Sequence, residues 1–152
     1  MKILFVCYAN IGRSQVAEEY FKQLTNHVYG FTTCSAGIGV DQLSYQNNEI
    51  SFKVEDSPYH RSIDYCKEKL HIDISEKLKL QLSIDLCRHA DKVIMICEKQ
   101  LWPSYLYGQD HSFTDKLIHW NIPDTPGLSD EESWKIWDSV MIKTEELVQE
   151  II

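Results

Sequence analysis

An α/β domain organised around a parallel sheet is the fold class this sequence predicts. Three observations carry that expectation. The chain has 152 residues, the size of one ordinary domain, with 43% hydrophobic and 25% charged residues. Short apolar runs of β type alternate with segments of helical period. No repeat, low-complexity stretch or linker interrupts them, so 1–152 is read as a single domain.

The elements follow in order. Residues 2–6 read as a buried strand. Residues 14–25 read as a helix, because Val16, Ala17, Tyr20, Phe21 and Leu24 recur at spacings of three and four. Phe31 to Ser35 is a second, β-branched strand. The stretch from Gly39 to Tyr59 breaks the rhythm: Gln42, Asn47, Asn48, Asp56, Ser57 and Pro58 stand among scattered apolar residues. It reads as an extended loop insertion with room for a short helix, and long loops in compact domains tend to be functional or mobile. Residues 60–70 and 80–90 read as helices. Asp91 to Ile96 is another buried strand, and Lys116 to Trp120 a short fourth one. The last helix starts near Ser129, with Asp130, Glu131 and Glu132 in its first turn, where acid suits the helix dipole. Trp134, Trp137, Met141, Thr144, Val148 and Ile151 recur on its inner face, so these tryptophans read as core.

Composition removes several classes of function. A formal charge of −8 argues against general nucleic-acid binding, which needs lysine and arginine to neutralise phosphates. The longest apolar runs, Ile3 to Ala9 and Val93 to Cys97, are far too short to cross a membrane. The first of them follows a single lysine, Lys2, and leads straight into Asn, Gly and Arg, so it makes a poor signal peptide. Cys7, Cys34, Cys66, Cys87 and Cys97 are odd in number and include no CxxC pair, which favours reduced thiols in a cytoplasmic protein. The histidines and cysteines show no paired ligand spacing, so neither a metal nor another cofactor is expected.

The candidate chemistry lies where the first strand meets the first helix. In parallel sheets the site forms at the carboxyl ends of the strands, and residues 7–13 lie there. The run is Cys7-Tyr8-Ala9-Asn10-Ile11-Gly12-Arg13-Ser14. Three features favour the Cys7 thiolate: inward-pointing amides from Tyr8 to Ser14, the positive end of the helix opening near Arg13, and the Ser14 hydroxyl. The planar fork of Arg13 suits two oxygens of a phosphoryl group, a fit that lysine does not give. Gly12 is expected to let the chain turn tightly, and Asn10 to tolerate a left-handed backbone and brace the loop. Together these groups make a pocket for a tetrahedral oxyanion.

The stretch Val6-Cys7-x-x-Asn10-x-x-Arg13-Ser14 resembles the signature loop of the low-molecular-weight protein tyrosine phosphatases. Ser35-Ala36-Gly37, His71-Ile-Asp-Ile-Ser75, Asp91-Lys-Val-Ile-Met95 and Asn121-Ile-Pro-Asp124-Thr-Pro126 extend the resemblance over nearly the whole chain. It implies a four-stranded parallel sheet with helices on both faces and a phosphate-binding loop after the first strand. It also implies metal-free hydrolysis of a phosphomonoester through a cysteinyl-phosphate. By position, Cys7 would be the nucleophile, Arg13 the phosphoryl ligand and Asp124 the acid that protonates the leaving oxygen. On its own residues, Asp124 is only an aspartate in a Pro-flanked turn. The implied partners are a phosphorylated protein or small-molecule phosphate, with inorganic phosphate or sulfate able to occupy the loop.

Two departures from the family pattern and one further resemblance matter. Thr125 stands between Asp124 and Pro126, and the aromatic that usually walls the phenyl ring is missing; Tyr8, Tyr45 or Tyr59 is the candidate replacement. Gly12 occupies a position where many members carry a cysteine that pairs with the nucleophile. Asn10-x-Gly12-Arg13-Ser14-Gln15-x-Ala17 also resembles arsenate reductases on the same fold, which is the alternative function. Cys97 lies where one type of reductase places its second cysteine, but Ser104 stands near the place of the third. A reductase would then need an external thiol such as glutathione, mycothiol or thioredoxin. A non-catalytic phosphate-binding protein is a third reading, disfavoured by the joint presence of Cys7, Arg13 and Asp124.

Overall fold

In the computed structural model, residues 1–46, 51–107 and 113–152 are described. At the centre of the sheet is β1 (Lys2–Cys7), in which Ile3, Leu4, Phe5 and Val6 are all fully buried. A strand apolar on both faces must be covered on both, and this requires helices on either side. On one edge of β1 lies β2 (Thr32–Gly37); on the other lie β3 (Lys92–Met95) and β4 (Leu117–His119), giving the order β2-β1-β3-β4 with every pairing parallel.

Successive side chains of β1 point to opposite layers. Ile3, Phe5 and Cys7 join the layer built by α1 (Arg13–Thr25), α3 (Ser62–Lys69) and α5 (Asp130–Ile151). Leu4 and Val6 join the opposite layer with Cys87 of α4 (Ile84–His89), Cys97, Trp102 and Leu106. The chain leaves β1 toward β2 on one side and reaches β3 on the other. The carboxyl end of β1 is therefore the switch point of the sheet, where a crevice opens.

Several elements differ in detail from the sequence expectation. The 39–59 stretch contains α2 (Val40–Gln46) and a 3-10 turn at Val54–Asp56; Asn47 and Asn48 lie outside the described residues. The helix expected over 80–90 spans only Ile84–His89. Leu80 to Leu82 runs extended against the end of β2, with Gly37 N donating to Leu80 O and Leu82 N to Gly37 O. In α5 the buried seam is Ser133, Trp137, Val140, Thr144 and Leu147, while Trp134, Met141, Val148 and Ile151 flank it. The seam shares Trp137 and Thr144 with the expected face but is turned from it, running through Val140, Leu147 and Ser133, which is buried despite being polar. No helix among the described residues is long and apolar enough to cross a membrane.

Candidate active site

Cys7 is the last residue of β1 and Arg13 the first of α1, so residues 8–12 must fold into a tight cradle. The cradle fits because β2 ends in glycine beside it. A Cβ on Gly37 would stand 2.6 Å from Tyr8 O and 2.9 Å from Asn10 N, closer than any side chain allows. Asn10 takes a left-handed conformation, φ +56°, as its residue type led one to expect. Its side chain is saturated there: Nδ2 donates to Ser14 Oγ at 2.7 Å and to Ser35 Oγ at 3.0 Å, and Oδ1 accepts from Leu80 N at 3.0 Å.

Cys7 Sγ lies 3.0 Å from Ser14 Oγ. That oxygen also accepts from Asn10 Nδ2, and a thiolate at Cys7, having no proton to give, would accept from the same hydroxyl. The first turn of α1 has no side-chain cap at Gly12, in contrast to α4 and α5, whose Ser83 and Ser129 hydroxyls accept from Leu86 N and Glu132 N. The leading amides of α1 are thus left to the cradle, the arrangement that binds anions at helix N-termini.

Arg13 is 2% exposed and spans the cavity. Nη1 donates to Ile122 O at 2.9 Å, and Nη2 lies 3.2 Å from Asp124 Oδ2. Asp124 Oδ1 accepts from Thr125 N, the amide of the next residue, at 2.8 Å, which restrains the carboxyl's direction. Asp124, remote in sequence from Cys7 and Arg13, lines one cavity of about 520 Å³ with them. Tyr8, Ala9, Ile11 and Gly12 form its floor, and Val40, Leu43, Pro58, Tyr59 and Pro126 its apolar wall. Of the three tyrosines considered for the missing wall, Tyr8 and Tyr59 are in place; the side chain of Tyr45 lies outside the described residues. Tyr59 holds φ +60°, a backbone conformation costly for an aromatic residue and found mainly where position matters.

Gly12 stands where the cradle passes into α1, at φ −113° and ψ −87°. A Cβ there would meet Trp137 Nε1 at 2.9 Å, so close packing against the buried indole selects glycine. Other contributors carried no signal in the sequence. Ser62 Oγ donates to Ile11 O at 2.6 Å and props the cradle from α3. Glu18 and Glu19, on a helix face that is buried despite its charge, receive Lys77 Nζ at 2.8 and 2.6 Å. Burial would raise the Glu18 carboxyl, but the Lys77 charge and hydrogen bonds from Lys22, Lys77 and Ser35 outweigh it and hold it below its ordinary value. Through Ser35 this network touches Asn10.

Burial raises the thiols of Cys34, Cys66, Cys87 and Cys97. Burial pushes Cys97 up to about 12, the nearby Cys7 adding to the effect and Arg13 opposing it. Burial likewise pushes Cys66 up to about 12 and Cys87 to about 11. Cys97 packs in the core layer on the opposite face of the sheet from Cys7.

Residues 2–151 match the family described as low molecular weight phosphotyrosine protein phosphatase. The chain is 30% identical over 131 residues to the low molecular weight protein-tyrosine-phosphatase Ptp of Acinetobacter johnsonii, covering 80% of this chain and 78% of that one. Its fold is similar to the low molecular weight protein tyrosine phosphatase from T. tengcongensis, with a TM-score of 0.77 at 21% identity over 99% of both chains. It is also similar to the tyrosine phosphatase Wzb from Escherichia coli K30 in complex with sulphate, TM-score 0.75 at 17% identity over 99% and 98% of the two chains. A cradle that ends a central strand in cysteine and starts a helix in arginine, on this sheet and with these relatives, leaves one assignment: the chain belongs to the low-molecular-weight phosphotyrosine protein phosphatases, a family of cysteine-based enzymes.

Proposed function

We propose that the protein hydrolyses aryl phosphomonoesters, phosphotyrosine in a protein among them, through a cysteinyl-phosphate on Cys7. The observation that carries this reading is the convergence of Cys7 Sγ, the buried Arg13 fork and Asp124 on one cavity with an apolar, tyrosine-bearing wall. The phosphoryl group enters the cradle and takes over the Arg13 fork, which matches two of its oxygens. Asp124 then passes from partner of the guanidinium to partner of the leaving oxygen. Sulfur attacks phosphorus, the P–O bond breaks, and the Asp124 proton goes to the departing phenolate. In the second step a water attacks phosphorus, its proton returns to the Asp124 carboxylate, and the S–P bond breaks to release phosphate. Ser14 steadies the thiolate that leaves.

Arsenate fits the same cradle, but the cysteines weigh against a reductase. An internal relay needs a second thiolate beside the first, and Cys97 is buried behind the sheet with its thiol held protonated. The test is turnover of an aryl phosphate by wild type, Cys7→Ser and Asp124→Ala. Cys7→Ser is expected to abolish turnover. Asp124→Ala is expected to slow it by about 10²-fold or more while inorganic phosphate still inhibits at similar concentrations. Turnover that persists in Cys7→Ser overturns the reading. Arsenite release with added glutathione or thioredoxin, and no aryl phosphate turnover, would favour the reductase.

A further inference from the structure

Arg61 lies at the N-terminal edge of α3, outside every motif, yet its guanidinium reaches the turn that carries Asp124. Nη1 donates to Leu128 O at 2.9 Å and pairs with Asp130 Oδ1 at 2.9 Å, while Nη2 donates to Thr125 O at 3.4 Å. Its neighbour Ser62 donates to Ile11 O in the cradle. We infer that Arg61 is a positioning residue for the Asp124 carboxyl, and that Arg61 and Ser62 together form a strut fixing the acid-bearing turn at a set distance from the phosphate-binding loop. The inference rests on the proposed role of Asp124.

Asp124 has to be held in place throughout the reaction. Its carboxyl has two partners, Thr125 N in its own turn and Arg13 Nη2. Phosphoryl oxygens claim the Arg13 fork as substrate binds, so that restraint is lost when the acid has to be aimed. Leu128 N donates to Thr125 O, which closes the turn on itself without tying it to the rest of the site. Arg61 supplies the outside tie, because one planar fork reaches both ends of the turn and the first residue of α5. The Arg61 side chain is 29% exposed and Asp130 77%. The Asp130 pair is therefore well screened, and the two carbonyl bonds set the geometry.

Acting through Asp124 leaves a signature that a merely structural role lacks. A phenolate of high basicity needs the acid's proton to depart, whereas 2,4-dinitrophenolate leaves almost unaided. Arg61→Ala, Asp124→Ala and the double variant are assayed on phenyl phosphate and 2,4-dinitrophenyl phosphate, with inorganic phosphate as competitive inhibitor. Arg61→Ala is expected to lower kcat/KM for phenyl phosphate about tenfold and for the dinitrophenyl ester less than about twofold, with phosphate inhibition unchanged. In the Asp124→Ala background the same change should add less than about twofold, since residues acting as one unit are not additive. Equal losses on both esters, a full further loss in the double variant, or no loss at all overturns the inference. Where Arg61→Ala is not folded by circular dichroism, Arg61→Lys serves the same comparison and is expected to lose less on phenyl phosphate. If Asp124→Ala itself leaves phenyl phosphate turnover intact, the acid assignment falls and this inference with it. If Asp124→Ala slows turnover and Arg61→Ala does not, the Arg61 role alone falls.

Discussion

At the scale of single residues, Ser14 illustrates how little chemistry the site leaves unassigned. Its oxygen receives Asn10 Nδ2 and lies 3.0 Å from Cys7 Sγ, placed to donate to a thiolate there. A hydrogen bond to a charged partner contributes about 1.5–3 kcal/mol, or roughly ten- to a hundredfold in rate. Ser14→Ala is expected to slow both kcat and the alkylation of Cys7 by iodoacetamide by about that factor, measured by loss of activity over time. Cys7, Arg13, Asn10 and Ser14 were legible in the sequence because a strand, a short loop and a helix bring them together within eight residues. Ser62 and Arg61 were not. They are ordinary polar residues whose partners are main-chain carbonyls 51 and 64 positions away, and no spacing rule links a side chain to a distant backbone oxygen. Gly12 was readable as a turn residue, but its packing constraint was not, since its neighbour, Trp137, is distant in sequence.

At the scale of elements, α1 is held to the sheet by Phe21, which is fully buried and meets Phe5 at 5.8 Å and Phe31 at 5.9 Å between ring centroids. Truncating such a ring removes buried area and leaves a cavity, at a cost of about 3–5 kcal/mol. Phe21→Ala is expected to lose that much in urea denaturation while the folded fraction keeps its kcat, because the ring does not line the cavity. The apolar period of α1 was readable, but the burial of Glu18 and Glu19 was not, since Lys77 comes from a segment with no local relation to the helix. The segment at 80–82 misled for a related reason. Its leucines suit a helix and a strand equally, and the deciding interaction is Leu80 N on Asn10 Oδ1 together with the Gly37 bridge. α4 gains an unread cap as well: Lys116 Nζ reaches the carbonyls of Cys87, Arg88 and Ala90 at its C-terminal end.

At the scale of the whole molecule, the alternation of apolar runs and helical segments announced a parallel sheet, and the sheet's switch point then located the site. The ionic cluster of Glu18, Glu19, Lys22 and Lys77 ties α1 to the segment after α3 and, through Ser35, to the cradle. Because the folded state holds Glu18 below its ordinary value of 4.5, its contribution to stability is complete above that pH. It is lost as pH falls through the lowered folded value. Glu18→Gln is expected to cost about 1–3 kcal/mol at neutral pH and to flatten the fall in stability below about pH 4.5, as read from urea midpoints across pH. The contact between Gly12 and Trp137 sets a historical order. A shielding sulfur on residue 12 would need the room that the Trp137 indole fills here. A descendant could acquire such a shield only after the tryptophan had given way to something smaller, so resistance to oxidants in this lineage begins with a change in its last helix.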